Sequence, residues 1–163
     1  MWSSEVTNMI ITGIWETLYM TLVSTLVGYV IGLPMGIILT VSDKDGIKPN
    51  AVLYKILDVI ANIVRSVPFI ILLVLLIPFT RLVVGKSYGS TATIVPLVIA
   101  AAPYIARMVE SSLKEVDAGV IEAARSMGAS NFTIITKVML VEARTSLLVG
   151  ATITLGTILG YSA

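Results

Sequence analysis

Few residues of this 163-residue chain could take part in bond chemistry, because the sequence contains neither cysteine nor histidine. Their absence removes thiol nucleophiles, disulfides and the commonest metal ligands. In the long apolar stretches, the ionisable candidates are Glu16 and Arg65, and each lies near an end of its stretch. Catalysis there would need paired acids or an activated nucleophile. The sequence therefore predicts no catalytic residue, no metal site and no cofactor.

A second chemical possibility is nucleotide binding. Gly85, Lys86 and Ser87 resemble the end of a phosphate-binding loop, but Thr80 occupies the position of the first glycine of that motif. The motif is incomplete. Any use of ATP is therefore expected on a separate subunit.

The third possibility is mechanical, and it concerns the polar stretch 107–144. Asp117 can cap a helix from about Ala118 to Met127, and Gly128 follows where a left-handed residue commonly ends a helix. The apolar face of this helix is predicted to contain Val120, Ala124 and Met127, with Ile121 beside it, while Glu122 and Arg125 project elsewhere. A second helix is predicted from about Ser130, with an apolar stripe of Phe132, Ile135 and Met139.

A short helix of this kind has two interpretations. Its small apolar face could insert into a groove on a cytosolic partner. Alternatively, the helix could lie on the lipid surface. The pattern alone leaves both open.

Composition indicates whether these elements are surrounded by water or by membrane lipid. Hydrophobic residues make up 56% of the chain and charged residues 13%, whereas soluble domains carry about 25% charged residues. A soluble domain of this size would expose large apolar patches. The chain is therefore predicted to be an integral membrane protein, and its formal net charge of +1 gives no indication of nucleic-acid binding.

Charged residues divide the sequence into four apolar runs, each close to the ~20 residues that a membrane-spanning helix needs. The runs are Thr17–Ser42, Val59–Thr80 with Arg65 inside it, Ser87–Ala106, and Thr145–Ala163. The amino terminus lacks the basic region of a signal peptide, so the first run is expected to be retained. Because the fourth run is still apolar at Ala163, the sequence is expected to be incomplete, with residues missing beyond Ala163. The sequence reads as one domain, residues 1–163, with a core from about 13 to 163.

Orientation follows from lysine and arginine, which are retained on the cytoplasmic side. Eight of them fall in the stretches 43–58 and 107–144, whereas the 81–86 connection has Arg81 and Lys86, and the amino terminus has none. The first two stretches are therefore predicted inside, and the amino terminus and the 81–86 connection outside. Arg65 enters from the cytoplasm and could extend back to the interface.

Glycine and proline indicate packing and bending. Gly28, Gly32 and Gly36 recur every four residues, which predicts a helix face that another helix can approach closely. Gly156 and Gly160 repeat this spacing in the fourth run. Prolines lie in or beside the spans, where they could introduce kinks: Pro34, Pro68, Pro78, Pro96 and Pro103.

The polar stretch also resembles a known family. Glu122, Ala123 and Ala124, then Gly128 after three residues, then Val138, Met139 and Leu140 after nine more, are similar to the EAA loop of binding-protein-dependent ABC importer permeases. Val138 replaces the family's usual isoleucine, and Val141 stands where its proline is expected. The resemblance assigns contact with an ATPase to the helix, through Asp117, Val120, Ile121, Glu122, Ala123, Ala124, Met127 and Gly128.

Further segments resemble the methionine permeases within that family. These short segments begin at Gly13, Arg65, Ile77 and Ala102, and the resemblance covers nearly the whole chain. The resemblance implies an all-α, type I permease-like transmembrane bundle with at least four spans and a cytoplasmic coupling helix. It also implies one more span beyond this chain's end.

The same resemblance implies the function and the partners. The chain would be the permease subunit of an importer in the bacterial cytoplasmic membrane that moves methionine, L or D, by alternating access. Its partners would be a second permease copy, two cytosolic ATP-binding subunits and an extracytoplasmic methionine-binding protein. Transport of another small amino acid stays open as an alternative. A secondary transporter or channel is a further alternative, although it would need buried ion sites and internal repeats, and neither is evident. The residues that contact substrate are not indicated.

Overall fold

The computed structural model describes residues 3–162, and all the regular elements within them are helices. The long helices are α1 (Ser4–Ser42), α2 (Ala51–Ser66), α5 (Ser90–Lys114) and α9 (Arg144–Ser162). The shorter ones are α3 (Phe69–Leu75), α4 (Ile77–Val84), α6 (Ala118–Ser126), α7 (Asn131–Thr133) and α8 (Leu140–Glu142), and a π-helical segment, Ile134–Met139, joins α7 to α8.

Helix α1 is much longer than the charge-free run that predicted it. It begins at Ser4, where the Ser3 hydroxyl caps it by accepting a hydrogen bond from the Val6 amide at 3.4 Å. Its 39 residues extend for about 58 Å. The expected start at Thr17 was too late because Glu5 and Glu16 interrupt the apolar run without interrupting the helix. Pro34 lies inside the same continuous helix.

The second apolar run is not the single span that the sequence predicted. Helix α2 ends at Ser66, and α3 begins after Pro68 at an angle of 103° to it. Proline disfavours helix at the residue before it, which explains the break after Ser66. A second interruption at Leu76 separates α3 from α4, whose first turn contains Pro78. Within residues 3–162, three helices are long and apolar enough to cross a membrane, and the count is four if the bent pair forms one span.

Helix α5 extends beyond the expected third span. It continues past Ala106 to Lys114, so the charged residues 107–114 belong to it and not to the connection. Pro96 and Pro103 lie inside this helix without ending it. The connection between α5 and α9, which the sequence predicts on the inner side and which we call the inner connection, is therefore residues 115–143. It is shorter than predicted, because a helix can leave the membrane without breaking its hydrogen bonds.

The core of the bundle lies between α1 and α5, and α9 packs against both. Its buried apolar side chains come mostly from one face of α5, including Leu97, Ile105, Val109 and Leu113. Side chains of the inner connection complete this core: Ala124, Ile134, Met139 and Ala143. The connection is therefore fixed against one end of the bundle by its own apolar contacts.

Candidate coupling site

The short helix α6 has the boundaries that its sequence signals predicted. The Asp117 carboxylate accepts a hydrogen bond from the Gly119 amide at 2.7 Å and caps the first turn. At the other end, the Gly128 and Ala129 amides donate to the Arg125 and Ala124 carbonyls at 2.9 and 3.1 Å. Gly128 has φ of 81°, the left-handed conformation predicted for it. The helix ends at Ser126, one residue before Met127.

The apolar face of α6 differs from the predicted one. Ala124 is only 5% exposed and belongs to the chain's own core, with Ile121 half-buried beside it. Val120 and Met127, expected on the same face, are exposed, and Met127 is 82% exposed. Helical geometry explains the division, because Ala124 and Ile121 lie towards one side of the predicted face and Val120 and Met127 towards the other, and the core covers only the first side.

The outward surface of α6 therefore comprises other members of the predicted set. Its exposed residues are Asp117, Val120, Glu122, Ala123, Met127 and Gly128. We call these residues the outer face. Ala123 lies between Val120 and Met127 at a spacing of three and four residues, so the centre of the outer face is apolar.

The helix predicted from about Ser130 also differs from the prediction. The Ser130 hydroxyl caps α7 by accepting a hydrogen bond from the Thr133 amide at 3.2 Å. The expected stripe of Phe132, Ile135 and Met139 is divided, since Met139 is buried and Phe132 is 75% exposed. The π-helical segment explains this result, because its wider turn shifts the register away from 3.6 residues.

Helix α6 is also tied to the connection between α1 and α2. The Arg125 guanidinium donates a hydrogen bond to the Ile47 carbonyl at 3.2 Å. A cavity of about 420 Å³ lies between the two segments, and Ile121, Lys114 and Asp43 are among the residues that line it. The position of α6 therefore depends also on the connection between α1 and α2.

Next to this cavity is an ion-pair cluster that sequence reasoning missed. It joins α5 to α2 and to the end of α1, and its residues are Asp43, Tyr54, Asp58, Asn62, Arg107, Glu110 and Lys114. Arg107 pairs with Asp58 of α2, and also with Glu110 at 2.7 Å. Lys114 pairs with Glu110 at 2.8 Å and with Asp43 at 2.6 Å.

The centre of the cluster is Glu110, whose side chain is 6% exposed. Its carboxylate accepts hydrogen bonds from both cations and from the Tyr54 hydroxyl at 3.2 Å. Lys114 holds the pKa of the Asp43 carboxyl below its usual value. The spacing of Arg107, Glu110 and Lys114 by three and four residues was the available signal, since such residues face one another on a helix.

The glycines of α1 face α5. Gly28, Gly32 and Gly36 are buried, and an added Cβ at Gly32 would lie 2.6 Å from the Ala102 carbonyl oxygen. The residues predicted to pack thus lie where the two backbones approach most closely. Gly156 and Gly160 have no other atom within 4 Å of such a Cβ in the described part of the chain.

The incomplete phosphate-binding motif is divided between elements. Thr80 is buried in α4, whereas Gly85 ends that helix at φ of 82° and Lys86 and Ser87 follow it in an exposed loop. In residues 3–162 no group of His, Cys, Asp or Glu side chains could hold a metal ion.

Comparison with known proteins decides the family. A family described as the binding-protein-dependent transport system inner membrane component matches residues 28–163. The chain belongs to this family. Its predicted fold class, an all-α permease-like bundle, is confirmed, and the chain is a multi-pass inner-membrane transport component.

Individual relatives are more specific. The D-methionine transport system permease protein MetI of Salmonella typhimurium is 55% identical over 155 residues, which cover 95% of this chain and 71% of the relative. The protein of the same name from Escherichia coli K12 has the same identity and coverage. A probable D-methionine permease MetI of Vibrio cholerae is 46% identical over 99% of this chain and 72% of its own length.

Solved structures agree with these relatives. An inward-facing structure of the MetNI methionine ABC transporter matches 99% of this chain and 74% of its own chain, with 53% identity and a TM-score of 0.96. An amino acid ABC transporter crystallised with histidines matches with a TM-score of 0.76 at 24% identity, and this match indicates the fold alone.

Proposed function

We propose that this chain is the permease subunit of an ATP-driven importer that moves methionine across the cytoplasmic membrane by alternating access. The observation that carries the proposal is the 55% identity to D-methionine permeases over 95% of the chain. The match to the MetNI methionine ABC transporter, with a TM-score of 0.96, supports it. Both enantiomers of methionine are candidates for the substrate.

The complete importer contains further subunits. We infer two copies of this permease, two cytosolic ATP-binding subunits and an extracytoplasmic methionine-binding protein. We infer that ATP hydrolysis takes place on the ATP-binding subunits, as the match to an ABC transporter permease supports. The permease itself catalyses no bond chemistry.

The coupling element is α6, and its outer face docks on the ATP-binding subunit. Three observations support this role. The outer face is apolar at its centre, exposed, and carried by a helix that is capped at both ends. Contacts of Ala124 with the core and of Arg125 with Ile47 join this helix to the bundle. Movement of a docked subunit is therefore passed to α1, α2 and α5.

The orientation is the one that places the cations inside. The amino terminus lies outside, and the ion-pair cluster and α6 lie at the cytoplasmic end of the bundle. Because the chain lacks cysteine, single cysteines report the orientation without interference. Cysteine at Lys48 or Lys137 is expected to react with an impermeant thiol reagent only from the cytoplasm, and cysteine at Lys86 only from outside. Labelling of the Lys137→Cys variant from outside intact cells would contradict the proposed orientation.

The function is tested by uptake into vesicles that contain the complete importer. Labelled methionine is expected to accumulate only with ATP and the binding protein, and excess unlabelled methionine is expected to compete. Competition by histidine or a branched-chain amino acid, with none by methionine, would contradict the assignment of methionine as the substrate. Accumulation without ATP would instead indicate a secondary transporter.

A further inference from the structure

Arg65 is a cation for which the described residues, 3–162, provide no carboxylate partner. The acids of α2 and α5 are already engaged, since Asp58 pairs with Arg107, and Glu110 pairs with Arg107 and Lys114. Arg65 lies two helical turns beyond Asp58 along α2, on the side away from the cytoplasmic connection. Its side chain is exposed in the described part of the chain, and a cation at membrane depth is costly unless an anion or water compensates it.

The position of the guanidinium is defined by Tyr104. Its central carbon lies 5.9 Å from the centre of the Tyr104 ring, within the range of a cation–π contact. Tyr104 is three residues from Arg107, about 4.5 Å further along the helix axis away from the cluster. The side chain of Arg65 therefore turns towards an aromatic ring instead of joining the cluster.

Arg65 and Tyr104 line a cavity of about 230 Å³ at the bend between α2 and α3. Phe69 and Tyr161 form another part of its lining, and their rings stack at 4.9 Å with an interplanar angle of 11°. Val64, Val67 and Ile158 are apolar members of the lining. Broken helices next to a cavity are a common location for transported substrates.

Thr157 gives the cavity a hydrogen-bond acceptor. Its hydroxyl donates to the Ile153 carbonyl at 2.9 Å, so the oxygen retains only accepting capacity. The cavity thus combines a cation, an acceptor oxygen, aromatic rings and apolar side chains.

We propose that this cavity is a binding site for the transported amino acid, in which Arg65 binds its α-carboxylate. The Thr157 oxygen and the aromatic rings receive its ammonium group, and the apolar lining contacts an apolar side chain. The site selects zwitterionic amino acids with apolar side chains. This inference rests on the proposed function and assigns it a substrate-binding residue.

The first test measures binding of labelled methionine to the assembled permease and ATP-binding subunits, without the binding protein. Arg65→Gln is expected to weaken binding at least about tenfold, because a charge-assisted, two-point contact with the carboxylate is lost. Arg65→Lys keeps the charge without the two-point geometry, so an intermediate affinity is expected. Lys55→Gln removes an exposed cation from the same helix and is expected to leave binding unchanged.

The second test uses the unaltered complex, so it does not depend on the folding of a variant. Methioninol keeps the ammonium group and the side chain of methionine but has a hydroxymethyl group in place of the carboxylate. It is expected to compete at least about tenfold less well than methionine. Equal competition by methioninol, or no methionine binding by the unaltered complex, would overturn the inference.

The carboxylate could also come from a second permease copy. In that case Arg65→Gln would reduce the pairing of permeases, measured by the mass of the purified complex, and methioninol would compete as well as methionine. Failure of the proposed function is distinguishable, because it would abolish methionine uptake by the unaltered importer. Uptake that persists while binding is insensitive to Arg65→Gln would overturn this inference alone.

Discussion

Gly32 and Gly36 set how closely α1 approaches α5. A Cβ at Gly36 would lie 2.6 Å from both the Ala106 carbonyl oxygen and the Val109 Cβ, and Gly32 meets α5 in the same way. Backbone and Cβ atoms cannot move aside as the end of a long side chain can. The helices would have to separate to accept even a methyl group.

We therefore expect Gly32→Ala to lower the free energy of unfolding by about 1–3 kcal/mol, as overpacking of a tight contact does. Thermal unfolding of the detergent-solubilised permease would measure the change. Gly13→Ala is the matched control in the same helix, because no other atom lies within 4 Å of its added Cβ. Equal effects of the two substitutions would contradict this account of the contact.

Gly128 acts by its conformation, since its φ is 81° and no other atom lies within 4 Å of an added Cβ. Gly128→Val is expected to cost about 1–2 kcal/mol at this turn and to misdirect α7. The expected outcome is lower methionine uptake with altered ATP hydrolysis. Gly128→Asn, which tolerates the left-handed conformation, is the control and should retain most of the uptake. A similar loss in both variants would show that conformation is not the cause.

At the scale of elements, α6 has a buried apolar side at Ala124 and an exposed outer face, and the two have different roles. Ala124 holds the helix to the bundle, and the outer face is free to bind another subunit. The sequence combined Ala124 with Val120 and Met127 because all three are apolar at helical spacing. Burial separates them, since only Ala124 contacts the core.

Substitutions on the two faces should therefore have different effects. Ala124→Arg introduces an unpaired charge into the core and is expected to destabilise the chain by several kcal/mol. Met127→Asp lies on the outer face and should leave thermal unfolding unchanged, while co-purification of the ATP-binding subunit is reduced. If Met127→Asp retained full co-purification and methionine uptake, α6 would be excluded as the docking helix.

At the scale of the whole molecule, the ion-pair cluster adds polar contacts that join α5 to α2 and to the end of α1. Helix α2 is amphipathic and has one fully buried apolar residue, Ala61. Its connection to α5 therefore depends strongly on the pairing of Asp58 with Arg107. The same cluster reaches Asp43 at the end of α1, beside the cavity next to α6.

Glu110→Gln removes the buried carboxylate that Arg107 and Lys114 share, and leaves both cations undercompensated. We expect a loss of about 3 kcal/mol or more, as for one partner removed from a buried pair. Lys44→Gln removes a member of the exposed pair with Asp45 and should have little effect. Thermal unfolding of both variants checks the prediction, and near-native stability of Glu110→Gln would contradict it.

The sequence by itself determined the features that depend on neighbours along the chain. Apolar runs predicted the three helices long enough to cross a membrane, the four-residue glycine spacing of α1 predicted a close helix contact, and Asp117 and Gly128 predicted the limits of α6. These signals are local. A cap needs only the next two residues, and a left-handed turn needs only its own backbone.

Tertiary structure decided the features that depend on residues distant in the sequence. Arg107 pairs with Asp58, which is 49 positions away, α3 runs at 103° to α2 after Pro68, and Ala124 is buried in a core that it shares with Met139 and Leu113. The pattern of one helix cannot tell which of its apolar faces another element will cover. Likewise, the charge of Arg65 was visible in the sequence, but its cavity exists only where α2, α5 and α9 meet.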